Sequence, residues 1–161
     1  MSFLLTFLIY VFVASPLCLV LHEMGHAVMI LLLTRQRATF QFGVSGARRN
    51  VRLGRLTASV YFEPSALFFC RYRLEEGGAL TRSQNLGITI GGPLASLVSG
   101  LLFGLLWMTA GGDPWTGLTI ISLINLLNSS IPRPYPAWQG AQAGLPNDGM
   151  QLVRLFQASR S

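Results

Sequence analysis

His22-Glu23-Met24-Gly25-His26 is the stretch whose residue types and spacing suit catalysis. Positions i and i+4 share a helix face, so both imidazoles can reach one metal ion. The glutamate beside the first imidazole is placed to take a proton from water that the ion activates. The stretch lies inside an apolar run from Phe3 to Leu33, where a charged side chain costs about 2.5–3.5 kcal/mol at a bilayer centre. A pair of buried, hydrogen-bonded imidazoles is the bland alternative. Two histidines and a glutamate within one and a half helical turns make it the poorer account. Catalytic zinc commonly takes three protein ligands, and the chain has no other histidine. The third ligand must therefore be a carboxylate or a thiolate.

The elements that position this stretch belong to a membrane-type chain. Of the 161 residues, 51% are hydrophobic and only 11% charged, against roughly 25% charged in soluble domains. All twelve basic residues are arginine, and the net charge is +6. Arginines flanking apolar runs are read more simply as topology signals than as a nucleic-acid surface. Cys18 and Cys70 form no metal-ligand pattern, and reduced, packed thiols are expected. No basic residue precedes the first apolar run, which is too long for a signal peptide, so residues 1–33 are expected to be retained.

The expected fold is an all-α membrane protein with a core of three transmembrane helices, at about 3–33, 87–110 and 115–131. The loop 34–83 holds nine of the twelve arginines. It also holds three strand-like stretches, Thr39–Val44, Arg55–Phe62 and Ala66–Arg73, which predict a small membrane-associated hairpin or sheet. Gly92, Ser96, Gly100 and Gly104 recur every four residues, a ladder along which helices pack closely in lipid. Asn125 and Asn128 are polar groups that a plain anchor does not need. Residues 132–161 form a Pro/Gly-rich loop and a short amphipathic helix that suits the interface plane.

Arginine counts place the 34–83 loop and the tail after Ile131 inside, with the amino terminus and the 111–114 turn outside. The chain is then a multi-pass protein of a bacterial cytoplasmic membrane, with its carboxy terminus cytoplasmic. Among the acids, Asp113 falls on the wrong side, while Glu63, Glu75 and Glu76 lie among the arginines. Asp148 falls on the side where the His/Glu stretch opens. Capping of the 149–157 helix is an equally ordinary role for Asp148, and only the lack of a competing ligand tips the balance toward metal.

The chain resembles the site-2 protease family, membrane-embedded zinc metalloproteases of intramembrane proteolysis. The resemblance rests on His22-Glu23-Met24-Gly25-His26, on Gly92-Pro93-Leu94-Ala95-Ser96 and on Asp148-Gly149 in that order. It departs from the family where Ser96 stands in place of asparagine, and where residues 132–147 lengthen the path to Asp148. The resemblance implies one Zn²⁺ per chain held by His22, His26 and Asp148, with Glu23 as general base. Asn125, Asn128 or Ser96 would steady the substrate backbone or the oxyanion. The expected substrate is a single-span membrane protein within the bilayer, with no nucleic-acid partner. The competing readings are a non-catalytic membrane adaptor that keeps this fold, and a metal sensor or transporter.

Overall fold

The computed structural model describes residues 3–43, 46–62, 70–74, 79–137 and 142–158. Its first apolar run is helical from end to end: α1 (Phe3–Ile9), a π-helical turn (Tyr10–Ala14) and α2 (Ser15–Leu33). The wider turn directly precedes Pro16, which has no N–H to give and whose ring crowds the carbonyl four residues back. Hydrogen bonding slips there to Ser15 N–H on the Tyr10 carbonyl. At the far end, the Arg55 guanidinium donates to the carbonyls of Leu31 and Thr34, both at 2.7 Å, and satisfies groups the last turn leaves open.

Four strands follow: β1 (Ala38–Phe42), β2 (Ala47–Leu53), β3 (Leu56–Phe62) and β4 (Cys70–Leu74). They form one mixed sheet in the order β2-β3-β1-β4. β2 and β3 make an antiparallel hairpin closed at Gly54, which takes a positive φ of 60°. β1 pairs parallel with β3 and antiparallel with β4. Register and strand alternation put Ala38, Phe40, Leu56, Tyr72 and Leu74 on one face. That face packs with Ala27, Ile30 and Ile88 to form the buried core.

α3 (Arg82–Ala110) opens with a capping box between Thr81 and Gln84, and α4 (Asp113–Ser130) returns along it after the Gly111-Gly112 turn. Both glycines hold positive φ, 67° and 106°, which other residues rarely adopt. α5 (Asp148–Gln157) closes the chain against α3 and α4. The small-residue ladder serves two neighbours. Gly92 and Ser96 face α2, whereas Gly100 and Gly104 face Ser122, Leu123 and Thr119 of α4.

Two expectations need correction. The fold is not an all-α three-span core: it combines helices with a four-stranded mixed sheet. Strands at 38–42, 56–62 and 70–74 overlap the three stretches read from composition, but β2 was missed because Ala-Arg-Arg-Asn-Val-Arg-Leu is exposed throughout and shows no alternation. Among the described residues two helices, not three, are long and apolar enough to cross a membrane: Leu4–Leu33 and Arg82–Ala110. α4 falls short because Asp113, Pro114, Asn125, Asn128, Ser129 and Ser130 dilute its 18 residues. Glu63, Glu75 and Glu76 lie outside the described residues.

The backbones of α2 and α3 come into contact where Gly25 meets Gly91. A Cβ on Gly25 would strike the Gly91 carbonyl oxygen and the Ala95 methyl, and the backbone on both sides cannot yield cheaply. Gly25→Ala is therefore expected to destabilise the fold by about 1–3 kcal/mol, the usual cost of overpacking, read as a lower thermal midpoint of the purified protein.

Candidate metal centre

His22, Glu23 and His26 project from the middle of α2, and all three are buried. Each imidazole is held through its Nδ1. That of His22 lies 2.9 Å from Ser96 Oγ, and that of His26 lies 2.7 Å from the Ile88 carbonyl, both on α3. Gly92 N–H also approaches His26 Nδ1, at 3.3 Å, but the carbonyl can only accept and is much nearer, so the proton is assigned to Nδ1 and Nε2 keeps its lone pair for a ligand. The Nε2 atoms of both rings turn toward Gly92, where any Cβ would collide with them. The glycine there is the space in which the two rings sit.

Asp148 comes from the other end of the chain. Its Oδ2 lies 3.1 Å from His22 Nε2 and 3.4 Å from His26 Nε2. The three potential ligand atoms all lie within 4.8 Å of one another, so this buried group can hold a metal ion. Four ligands at tetrahedral angles and bonds of 2.0–2.2 Å stand roughly 3.3–3.6 Å apart, close to the spacing of Asp148 from the two rings. Burial alone would raise the Asp148 carboxyl; the hydrogen bonds and charge of the two imidazoles outweigh it and bring it down to about 2. It is ionised, as a ligand must be.

Asn147, which sequence reasoning passed over, explains how Asp148 is free to do this. The Asn147 side-chain oxygen accepts from Met150 N–H at 3.0 Å and caps α5, so Asp148 does not. The same oxygen accepts from Arg133 N–H, and the side-chain nitrogen donates to the carbonyls of Asn128 (2.8 Å) and Ile131 (2.6 Å). These bonds tie the start of α5 to the end of α4. The long 132–147 connection folds back on itself through Tyr135 N–H to Leu145 O and Asn147 N–H to Arg133 O, so its extra length does not displace Asp148. The signal in the sequence was the residue preceding Asp-Gly, a strong capping type.

Glu23 reaches the sheet and lines the same cavity as Asp148. Its Oε2 accepts from Tyr72 N–H at 3.2 Å, and the Tyr72 ring stacks on His26 with centroids 4.4 Å apart. β4 is the edge of the sheet, and Tyr72 N–H points away from β1. The groups of Cys70 on the same edge point out too, and its carbonyl accepts from Gln142 Nε2 at 3.2 Å. A cavity of about 360 Å³ opens here, lined by Glu23, His26, Tyr72, Tyr135 and Asp148, with Arg71 and Arg73. Burial, and then the carboxylates of Asp148 and Glu23, push both phenols well up, so Tyr72 and Tyr135 face the cavity as neutral O–H donors. Burial and the Glu23 carboxylate likewise push up the Cys70 thiol, which keeps it protonated and out of the ligand set.

The other three residues proposed from sequence are not among the residues that line this cavity. Ser96 is buried behind His22 and orients that ring. Asn128 is exposed at the end of α4, where its side chain accepts from Arg133 at 2.6 Å. Asn125 does not line the cavity, and its Nδ2 is buried without a hydrogen-bond partner among the described residues.

Compared with known proteins, the chain matches no family model, no curated protein and no solved structure.

Two substitutions separate the parts of this centre. Ser96→Ala should weaken metal binding by about 10–100-fold while leaving the fold intact, as removal of a ligand's supporting hydrogen bond usually does; competition against a chelator measures it. Asn147→Ala should lower stability by about 1–2 kcal/mol through the lost cap, and should weaken metal binding as well because Asp148 loses its anchor. Loss of stability with metal affinity unchanged would mean that Asn147 only caps.

Proposed function

We propose that the protein is a membrane-embedded zinc metallopeptidase of the site-2 protease type, cleaving membrane-protein substrates. The observation that carries this reading is the position of Glu23. An ion-binding group needs no buried carboxylate beside its first histidine, facing a cavity and held by a strand edge. The donor set of two imidazoles and one carboxylate, leaving a fourth position open, suits Zn²⁺ in its catalytic rather than its structural form. When bound, the ion supplies Lewis acidity, polarising a peptide carbonyl and acidifying water.

The chain's own residues do the remaining work. Glu23 takes the proton of the attacking water and returns it to the leaving amine. Its Oε2 is anchored by Tyr72 N–H, which leaves Oε1 for this exchange. Tyr72 and Tyr135 offer neutral phenol donors on the cavity wall, where negative charge develops on the carbonyl oxygen. A substrate helix hides its carbonyls in its own hydrogen bonds and must be drawn out before attack. β4 is the edge strand beside Glu23, and its outward groups other than Tyr72 N–H and the Cys70 carbonyl, which Glu23 and Gln142 occupy, would pair with the extended segment. The two apolar helices, Leu4–Leu33 and Arg82–Ala110, would set the site within the bilayer.

The decisive comparison uses wild type and Glu23→Gln in vesicles with a single-span model substrate carrying a helix-breaking Gly-Pro pair. Wild type should bind one zinc per chain and cleave within the span. Glu23→Gln should bind zinc equally and lose about 10²–10⁴-fold in cleavage rate, the usual share of general acid–base catalysis. Equal cleavage by the two would sink the base assignment. Zinc binding with no cleavage by either would favour the adaptor.

A further inference from the structure

We propose that the β2–β3 side of the sheet is a docking surface for anionic lipid headgroups. It rests on the membrane part of the function proposed above and is independent of peptide cleavage. The face of the sheet that covers the core is wider than its support. β1 and β4 pack on α2, whereas β2 is the outermost strand, with every one of its residues exposed. The apolar face therefore overhangs, leaving Val51 53%, Leu53 69% and Phe62 63% exposed.

The same strand carries Arg48, Arg49 and Arg52. Arg48 reaches Tyr61 Oη at 3.4 Å and Arg52 Nε reaches the Gly54 carbonyl at 3.3 Å, which leaves most of their donors unused. Among the described residues no carboxylate pairs with any of the three. Arginines on an edge strand also discourage strand-to-strand aggregation. That role explains the charges but not the bare Val51 and Leu53 on either side of Arg52. Register puts Arg49 on the same face as Val51, Leu53 and Phe62, and Arg48 and Arg52 on the opposite face of this edge strand. An apolar edge flanked by cations fits a bilayer interface, where the apolar side chains enter the acyl boundary and the cations meet phosphate.

The sheet also lies at the right depth. Its inner face packs beside the last two turns of α2, with Tyr72 on His26 and Leu56 beside Ile30 and Leu31. From His26 to the end of α2 at Leu33 is about 10 Å at 1.5 Å per residue. Arg35 and Arg37 follow at once, and Gln84 Nε2 bonds the Leu33 carbonyl, so α3 begins at the same level. The Gly54 end of the β2–β3 hairpin is held at this same level, because Arg55 bonds the Leu31 and Thr34 carbonyls.

An environment-sensitive NBD fluorophore on Leu53→Cys tests this in the full chain, since Cys18 and Cys70 are buried. The labelled protein is placed in vesicles of phosphatidylcholine with and without phosphatidylglycerol, beside a control label on Leu8→Cys in α1. The position-53 label should shift to the blue and be quenched by lipids carrying a shallow nitroxide, more strongly with phosphatidylglycerol present. Charge reversal of Arg48, Arg49 and Arg52 to glutamate should abolish that gain without altering the circular dichroism spectrum. A label in water at position 53 with the control in lipid overturns this proposal alone. A label in water at both positions also removes the membrane reading. Shielding that tracks protein density and escapes nitroxide quenching would mean that a second copy covers the face, and would overturn the proposal too. An undiminished response in the reversed variant would refute the role of the arginines.

Discussion

The close crossing of α2 and α3 at Gly25 and Gly91 is the constraint on which the rest of the structure depends. Two helices carrying ordinary side chains keep their axes 8–10 Å apart; a pair of glycines lets the backbones touch. One residue further along α3, Gly92 leaves room for the two imidazoles, and Ile88 and Ser96 lie one turn to either side to take their Nδ1 atoms. The histidines are thus oriented by backbone proximity before any ion arrives. Preorganisation of this kind limits the reorganisation that ligand binding must drive.

The remaining polar groups of the site are handled with similar economy. Glu23, His22, His26 and Asp148 are all buried, and isolated buried polar groups are costly. Each has a partner from a different element: β4 for Glu23, α3 for the imidazoles, the imidazoles themselves for Asp148. The sheet is therefore part of the centre rather than an attachment to it. Tyr72 supplies a backbone donor to the glutamate and a ring to His26, and its strand forms one wall of the cavity.

Much of this was legible from residue types alone. His22, Glu23 and His26 fall on one helical face by spacing, and Asp148 was reached by elimination among six acids. What was not legible is what tertiary contact decides. Ser96 reads as a donor to the substrate backbone or the oxyanion, and its bond to His22 emerges only from the position of α3 against α2. Asp148 reads equally as cap or ligand until Asn147 is seen to cap α5. β2 has no pattern to read because neither of its faces is covered, and the parallel pairing of β1 with β3 joins strands separated by another that lies elsewhere in the sheet. The third span failed for a plainer reason: α4 packs along α3 as a helix, but its apolar content is too diluted.

The separation of the ligands along the chain gives the centre a timetable. His22 and Asp148 stand 126 residues apart, roughly 6–25 s of synthesis at ordinary ribosomal speed. Through that interval the histidines exist without their carboxylate, and a pair of imidazoles alone makes a weak trap for metal. Asp148 arrives only when α4 has packed and Asn147 has joined α5 to its end. The nascent protein thus cannot become competent one piece at a time: if it is a peptidase, its active centre comes into being last, when the walls that confine its substrate are already in place.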